Sequence, residues 1–304
     1  MSLITTAVIY LFLPLEAKWW CVVPLALATG AFVIRKGINE WWYTKFPLGL
    51  AKKEKEILNK FLPYYRNLDE EHKTIFEQRV AVFRVQKEYK MRGIEQVPGD
   101  IQLLMSGVAI QLTMGLAHQK EFYPELGVVV MFPKTFITPD YHEQLHAVEF
   151  NKDVYDCLLM SINMFVHGIT KPKNYYNIGI HGFAKAWKAY NDIKDSDIPY
   201  KNTKELLVKL HQLRGFKLGY QFQYTALPTM EVFEMCVEHF FEVPEKMQEV
   251  LPGVYASLMN MFMQDPANRS NPIIQVPVAV PNPIEGEEVN EAEDPKEDDN
   301  QSAA

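Results

Sequence analysis

Residues 177–187, Asn177-Ile-Gly-Ile-His181-Gly182-Phe183-Ala184-Lys185-Ala-Trp187, place one imidazole and, four residues later, an ammonium. Four residues are about one helical turn, so side chains at 181 and 185 stand one above the other on the same face. The same frame spelled His-Glu-x-x-His is how a helix holds zinc: both imidazoles reach one metal, and the Glu beside the first activates its water. Only the first imidazole is present here. Lys185 takes the second ligand position, and an ammonium with a reference pKa of about 10.4 has no lone pair to give until it deprotonates. Gly182 takes the general-base position and costs about 1 kcal/mol in helix propensity relative to Ala.

Around this helix the hydrophobic spacing outlines a domain. Residues 52–62 and 69–91 read as helices, the second with Phe76, Val80, Phe83 and Val85 at near-helical spacing. After the Pro98-Gly99 break, 101–116 is a mostly apolar helix; 127–132, ended by Pro133, and 156–162 read as strands. A loop containing Pro172 leads into the His181 helix. A helix over 229–242 puts Glu231, Glu234 and Glu238 on one stripe and Phe233, Cys236, Val237 and Phe240 opposite, and a last helix lies near 251–263. Helices, then strands, then more helices predict an α+β domain rather than a doubly wound sheet.

With this helix, Tyr224, Glu231 and the line Glu231-x6-Glu238-His-Phe-Phe-Glu242 in view, the chain resembles the Mlc titration factor A family over roughly residues 50–265. The resemblance implies a zincin-like fold and a zinc peptidase of the gluzincin type. The family pattern Asn-x-x-x-His-Glu-Phe-Ala-His is matched by Asn177, His181, Phe183 and Ala184 and broken at Gly182 and Lys185. It implies that Glu231 stands at the third zinc-ligand position, and that Tyr224, seven residues earlier, stands where the family stabilises its transition state. Gln264-Asp265-Pro266 resembles the end of the family's last helix. A ligand exchanged for Lys, beside a retained Glu231, suggests that the ammonium stands in for the metal charge, which requires the two charged ends to lie within about 6 Å. The alternative is a Lys185 that simply reaches solvent.

A literal His-Glu-x-x-His occurs elsewhere, at His142-Glu143-Gln-Leu-His146. Thr138-Pro139-Asp140 leaves room for a short helix at most, and no apolar face accompanies it. The pattern counts only on a helix, and the resemblance puts it between strands, so it stands as an alternative metal site. His118, His167 and His239 are isolated, and Met259, Met261 and Met263 fit helix packing better than a metal role.

Composition limits the partners. Of 31 basic and 38 acidic residues, one lysine and nine carboxylates fall between Glu285 and Asp299, leaving 30 basic and 29 acidic elsewhere. The body is nearly neutral and offers no basic excess for nucleic acid. Residues 266–304, poor in large apolar side chains, read as a disordered acidic tail. Cys21, Cys157 and Cys236 are scattered and odd in number, which fits a reducing compartment rather than a disulfide framework.

Residues 1–44 read as a membrane anchor. No residue from Trp19 to Ile34 is charged, and Trp20 and Trp41 bracket a segment of about 31 Å, near the thickness of a bilayer core. The apolar run 4–15 is a possible second segment. Basic residues follow the span (Arg35, Lys36, Lys45, Lys52, Lys53, Lys55), whereas only Lys18 precedes it, so the domain is expected to face the cytoplasm from the cell membrane.

The chain is thus expected to carry an anchor over 1–44, a zincin-like domain over 45–265 and a tail. It reads as an inactive pseudopeptidase that acts by binding a protein or peptide; in some family members the partner is a repressor of the glucose system. No cofactor is expected, and zinc only if the site functions. Two other readings stay open: an active zinc peptidase with an atypical site, and a membrane-tethered scaffold.

Overall fold

A computed structural model describes residues 48–280 apart from 94–95, 117–122, 124, 153–155, 216–225 and 228–230, together with 23, 26–32, 34–35, 38, 42–43 and 45–46. Ten helices and four strands are placed among them. Helices α1 (Lys52–Phe61), α2 (Pro63–Asn67) and α3 (Glu70–Gln86) come first, followed by β1 (Glu88–Met91) and α4 (Gly99–Thr113). Strands β2 (Val128–Phe132), β3 (Val148–Asn151) and β4 (Cys157–Ser161) precede α5 (Ile162–Thr170) and α6 (Ile178–Tyr190). The chain continues through α7 (Thr203–Arg214), α8 (Val232–Glu242), α9 (Pro244–Val250) and α10 (Pro252–Phe262). The α+β expectation holds.

The sheet runs β1-β2-β4-β3, with β1, β2 and β4 parallel and β3 antiparallel along the edge of β4. Helix α4, apolar all round as a core helix must be, is buried from Leu103 to Thr113 and packs against α1, α3 and α6. Helix α6 in turn lies across β3 and β4 on one side and against α8 on the other. It starts at Asn177, whose side-chain oxygen accepts from the N–H groups of Gly179 and Ile180 and so satisfies two orphan donors of the first turn.

Two expectations change, and one gains detail. The helix expected over 69–91 ends at Gln86, because the extended Lys87 is buried, with its ammonium donating to the Tyr123 carbonyl. From Glu88 the chain pairs with β2, so a sheet edge overrides the local helical spacing. The glutamate stripe on α8 does not face open solvent: Glu234 and Glu238 are buried, as is the opposite apolar face, because cations from α6 and α7 meet them. Nor is all of 266–304 free of the body. Ile273 bridges to Gln264, Ile274 N–H donates to the Met263 carbonyl, and the Asn260 side chain bonds both main-chain groups of Val278. Ala267, Ile273 and Ile274 pack on the core; a segment too apolar-poor to build a core can still complete one already formed. The acidic stretch 285–299 lies outside the described residues.

Most of the span expected over 19–41 also lies outside them. Among the described residues, no helix is long and apolar enough to cross a membrane. Those described between Val23 and Phe46 are mostly helical, and they expose Leu27, Phe32, Ile34 and Trp42.

Candidate functional site

The frame at 181 and 185 forms as its spacing requires, one turn apart on α6, and both side chains converge on Glu231, the residue that caps the start of α8. The Lys185 ammonium donates to Glu231 Oε1 at 2.7 Å, well inside the 6 Å expected of a stand-in for a metal charge. His181 Nε2 faces the other carboxylate oxygen, Oε2, at 3.2 Å. His181 is buried, whereas the Lys185 and Glu231 side chains keep 23% and 27% of their surface, so the pair stays partly open to solvent above the buried imidazole.

These contacts fix the protons. A carboxylate oxygen only accepts, so in the neutral ring Nε2 carries the hydrogen and Nδ1 accepts from the Tyr176 phenol, 2.9 Å away. Burial keeps that phenol protonated, pushing its pKa well above the usual value, with the nearby Glu238 and Glu234 acting in the same direction. Burial works against the charge of Glu231, but His181, through its hydrogen bond, and Lys185, through its charge and hydrogen bond, outweigh it and lower its pKa to about 2. Lys185 is likewise opposed by burial and yet raised, by Glu231 first and by Tyr141 and Glu234 after it.

One turn further along, Lys188 bridges Asp195 at 2.6 Å and Glu234 at 3.4 Å. Deeper still, Arg214 at the end of α7 lies 3.2 Å from Glu238, which also accepts from the backbone N–H of Asn177. The Asn177 side chain reaches Glu242 at 2.7 Å. Burial raises Glu238, but Arg214 and its hydrogen bonds bring its pKa down. Glu238 and Asn177 thus tie the start of α6 to the end of α8, which holds His181 opposite Glu231.

The donor set does not fit zinc. A gluzincin site needs two imidazoles and a carboxylate; here the second imidazole is an ammonium already bonded to that carboxylate, and the remaining imidazole turns an N–H toward it. Among the described residues, no three His, Cys, Asp or Glu side chains gather where they could hold a metal. The position beside His181 is also crowded. A Cβ at Gly182 would sit 2.7 Å from Val148 Cγ2, 3.0 Å from Met160 Cε and 3.1 Å from Leu158 Cδ1, so side chains of β3 and β4 fill that space.

The literal motif forms no metal helix. Residues 139–144 are turns and a bend, with the His142 and Glu143 side chains 74% and 86% exposed. His146 is fully buried between Phe136 and Tyr141, with Nε2 on Glu149 at 3.0 Å. Its two imidazoles therefore never share a face, because the segment is not helical. Tyr224 lies outside the described residues.

Sequence reasoning missed Tyr176, Tyr141, Lys188 and Arg214. Tyr176 adjoins Asn177 and was within reach of a search around the motif; Arg214 ends a helix with no motif, and nothing local marks it.

A family model, that of the glucose-regulated metallo-peptidase M90, matches residues 41–195. The chain belongs to this M90 family. The match takes in the sheet and α6 and stops before Glu231 and Glu238, so the half of the site contributed by α8 rests on the geometry above. No curated protein matches the chain.

Proposed function

We propose that this M90 metallopeptidase relative has given up zinc-dependent hydrolysis and acts by binding a protein or peptide in the cleft above Lys185 and Glu231. The observation that carries this reading is the 2.7 Å ion pair between them. A fixed ammonium supplies positive charge beside the family's ligand carboxylate, but it cannot polarise a carbonyl or lower the pKa of a water as zinc does. The crowded space at Gly182, a residue that carries no general base, supports the same conclusion. Such a cleft keeps its shape and charge without turnover.

The same proposal tethers the chain to the membrane by its amino-terminal segment, with the domain on the cytoplasmic side; this rests on the apolar, tryptophan-bracketed stretch 19–41 and the basic residues after it.

The test is metal content and hydrolysis together. Full-length protein purified without chelators is expected to hold far less than one zinc per chain and to leave casein and peptide libraries uncut. About one zinc per chain, the stoichiometry of a single catalytic site, with measurable cleavage would overturn the proposal. For the tether, the chain is expected to stay with membranes through alkaline carbonate extraction; release into the supernatant would refute that part alone.

A further inference from the structure

A concavity lies at the end of α8 opposite Glu231. Glu231 starts α8 and Glu242 ends it, so the two are separated by about 16 Å at the rise of roughly 1.5 Å per residue. Around Glu242 opens a cavity of about 690 Å³, within the size range of small-molecule sites. Its lining includes five cationic side chains, Arg66, Lys173, Arg214, Lys246 and Arg269, and Glu242 as the one carboxylate. Phe61, Leu62, Leu213 and Phe241 give it an apolar wall.

The cations are not equally committed. Arg214 is held by Glu238, and Arg269 by Glu245. Lys246 bonds only the Leu213 carbonyl, at 3.3 Å, and among the described residues Arg66 and Lys173 have no ion-pair partner. Three positive charges therefore face the cavity without a counter-charge of their own among the described residues. The carboxyl of Glu242 offsets them weakly: burial first, and then the neighbouring Glu238, push its pKa up to about 7. Gln111 adds a neutral polar group. It is only 6% exposed, it lines the cavity, and its side-chain amide makes no hydrogen bond among the described residues.

We propose that this cavity binds a small molecule carrying an anionic head, phosphate or carboxylate, on an apolar body. Arg66, Lys173 and Lys246 receive the head, Gln111 supplies a hydrogen bond, and Phe61 and Phe241 cover the body. The site is separate from the Lys185–Glu231 cleft and does not depend on how that cleft is used.

Isothermal titration of the full-length chain with phenyl phosphate, benzoate, inorganic phosphate and benzyl alcohol tests it. Saturable binding is expected for phenyl phosphate or benzoate, the tighter of the two identifying the head, with weaker binding of inorganic phosphate and none of the neutral alcohol. The double variant Arg66→Ala/Lys173→Ala is expected to lose at least tenfold in affinity while its ligand-free melting temperature stays unchanged, since both side chains are exposed. The proposal is overturned by the absence of saturable heat from every anion up to about 10 mM, where binding would be weaker than roughly 3 kcal/mol. It is equally overturned by a double variant that binds as tightly as the parent.

Discussion

Replacing Lys185 by Met removes the ammonium and keeps most of the side-chain volume, leaving Glu231 with His181 as its one remaining partner at the site. The size of the effect follows from Glu231 itself. Its pKa stands at about 2 instead of 4.5, a preference for the charged form worth about 3 kcal/mol if the unfolded chain has the ordinary value. Burial opposes that preference, and His181 and Lys185 together produce it. An even division gives Lys185 about 1–2 kcal/mol, more than an exposed ion pair and less than a fully buried one.

The assay is a double-mutant cycle in urea at pH 7 with Lys185→Met, Glu231→Gln and the double variant, which isolates the pair from the separate costs of each change. The pH dependence gives a second reading. Because the folded pKa is depressed, the contribution of Glu231 is complete above about pH 4.5 and is lost as pH falls from there toward 2. In Lys185→Met the carboxyl moves back up, so the acid-side loss narrows and starts from a less stable protein. A coupling energy below about 0.5 kcal/mol, the level of an exposed pair, would refute the argument that Lys185 stands in for the metal charge.

Other expectations can be checked more simply. Lys185→His restores two imidazoles and a carboxylate around one point, so this variant is expected to take up about one zinc per chain by elemental analysis, yet to hydrolyse nothing, because position 182 still lacks a base. Gly182→Ala gains about 1 kcal/mol of helix propensity but pushes a methyl to 2.7 Å from Val148 Cγ2; overpacking of about 1–3 kcal/mol outweighs that gain, and thermal unfolding should show a lower midpoint. Gly182→Glu is expected to lose more stability and recover no activity. Glu238→Gln leaves Arg214, whose side chain is 4% exposed, without its closest carboxylate, and is expected to cost about 3 kcal/mol in urea unfolding.

The arrangement of His181, Gly182 and Lys185 is legible because it is local. Helical geometry fixes where residues 181, 182 and 185 point relative to one another, so a five-residue string shows which side chains share a face. The apolar helix at 101–116 and the strands at 127–132 and 156–162 were legible for the same reason, since burial demands continuous apolar runs. Helix 69–91 was read too long because Glu88 to Met91 carry no strong signal of their own and become a strand only by pairing with β2. The literal motif shows the limit of letters alone: they fit a metal helix, but the Thr138-Pro139-Asp140 ahead of them argues against one, the backbone turns, and the buried His146 serves Glu149.

The sequence by itself determined that this M90 chain carries an imidazole and an ammonium one turn apart, with a glycine beside the imidazole, on a helix of known phase. Only the tertiary structure decided what fills the gap. Lys185 and Glu231 are 46 residues apart, and their meeting depends on how α6 packs on α8. The packing of Gly182 against β3 and β4, and the gathering of Arg66, Lys173 and Lys246 around one cavity, depend in the same way on distant segments. Side-chain phase within a helix is set by the backbone repeat, whereas contacts between elements are set by the packing of the whole core, which no short stretch of sequence contains.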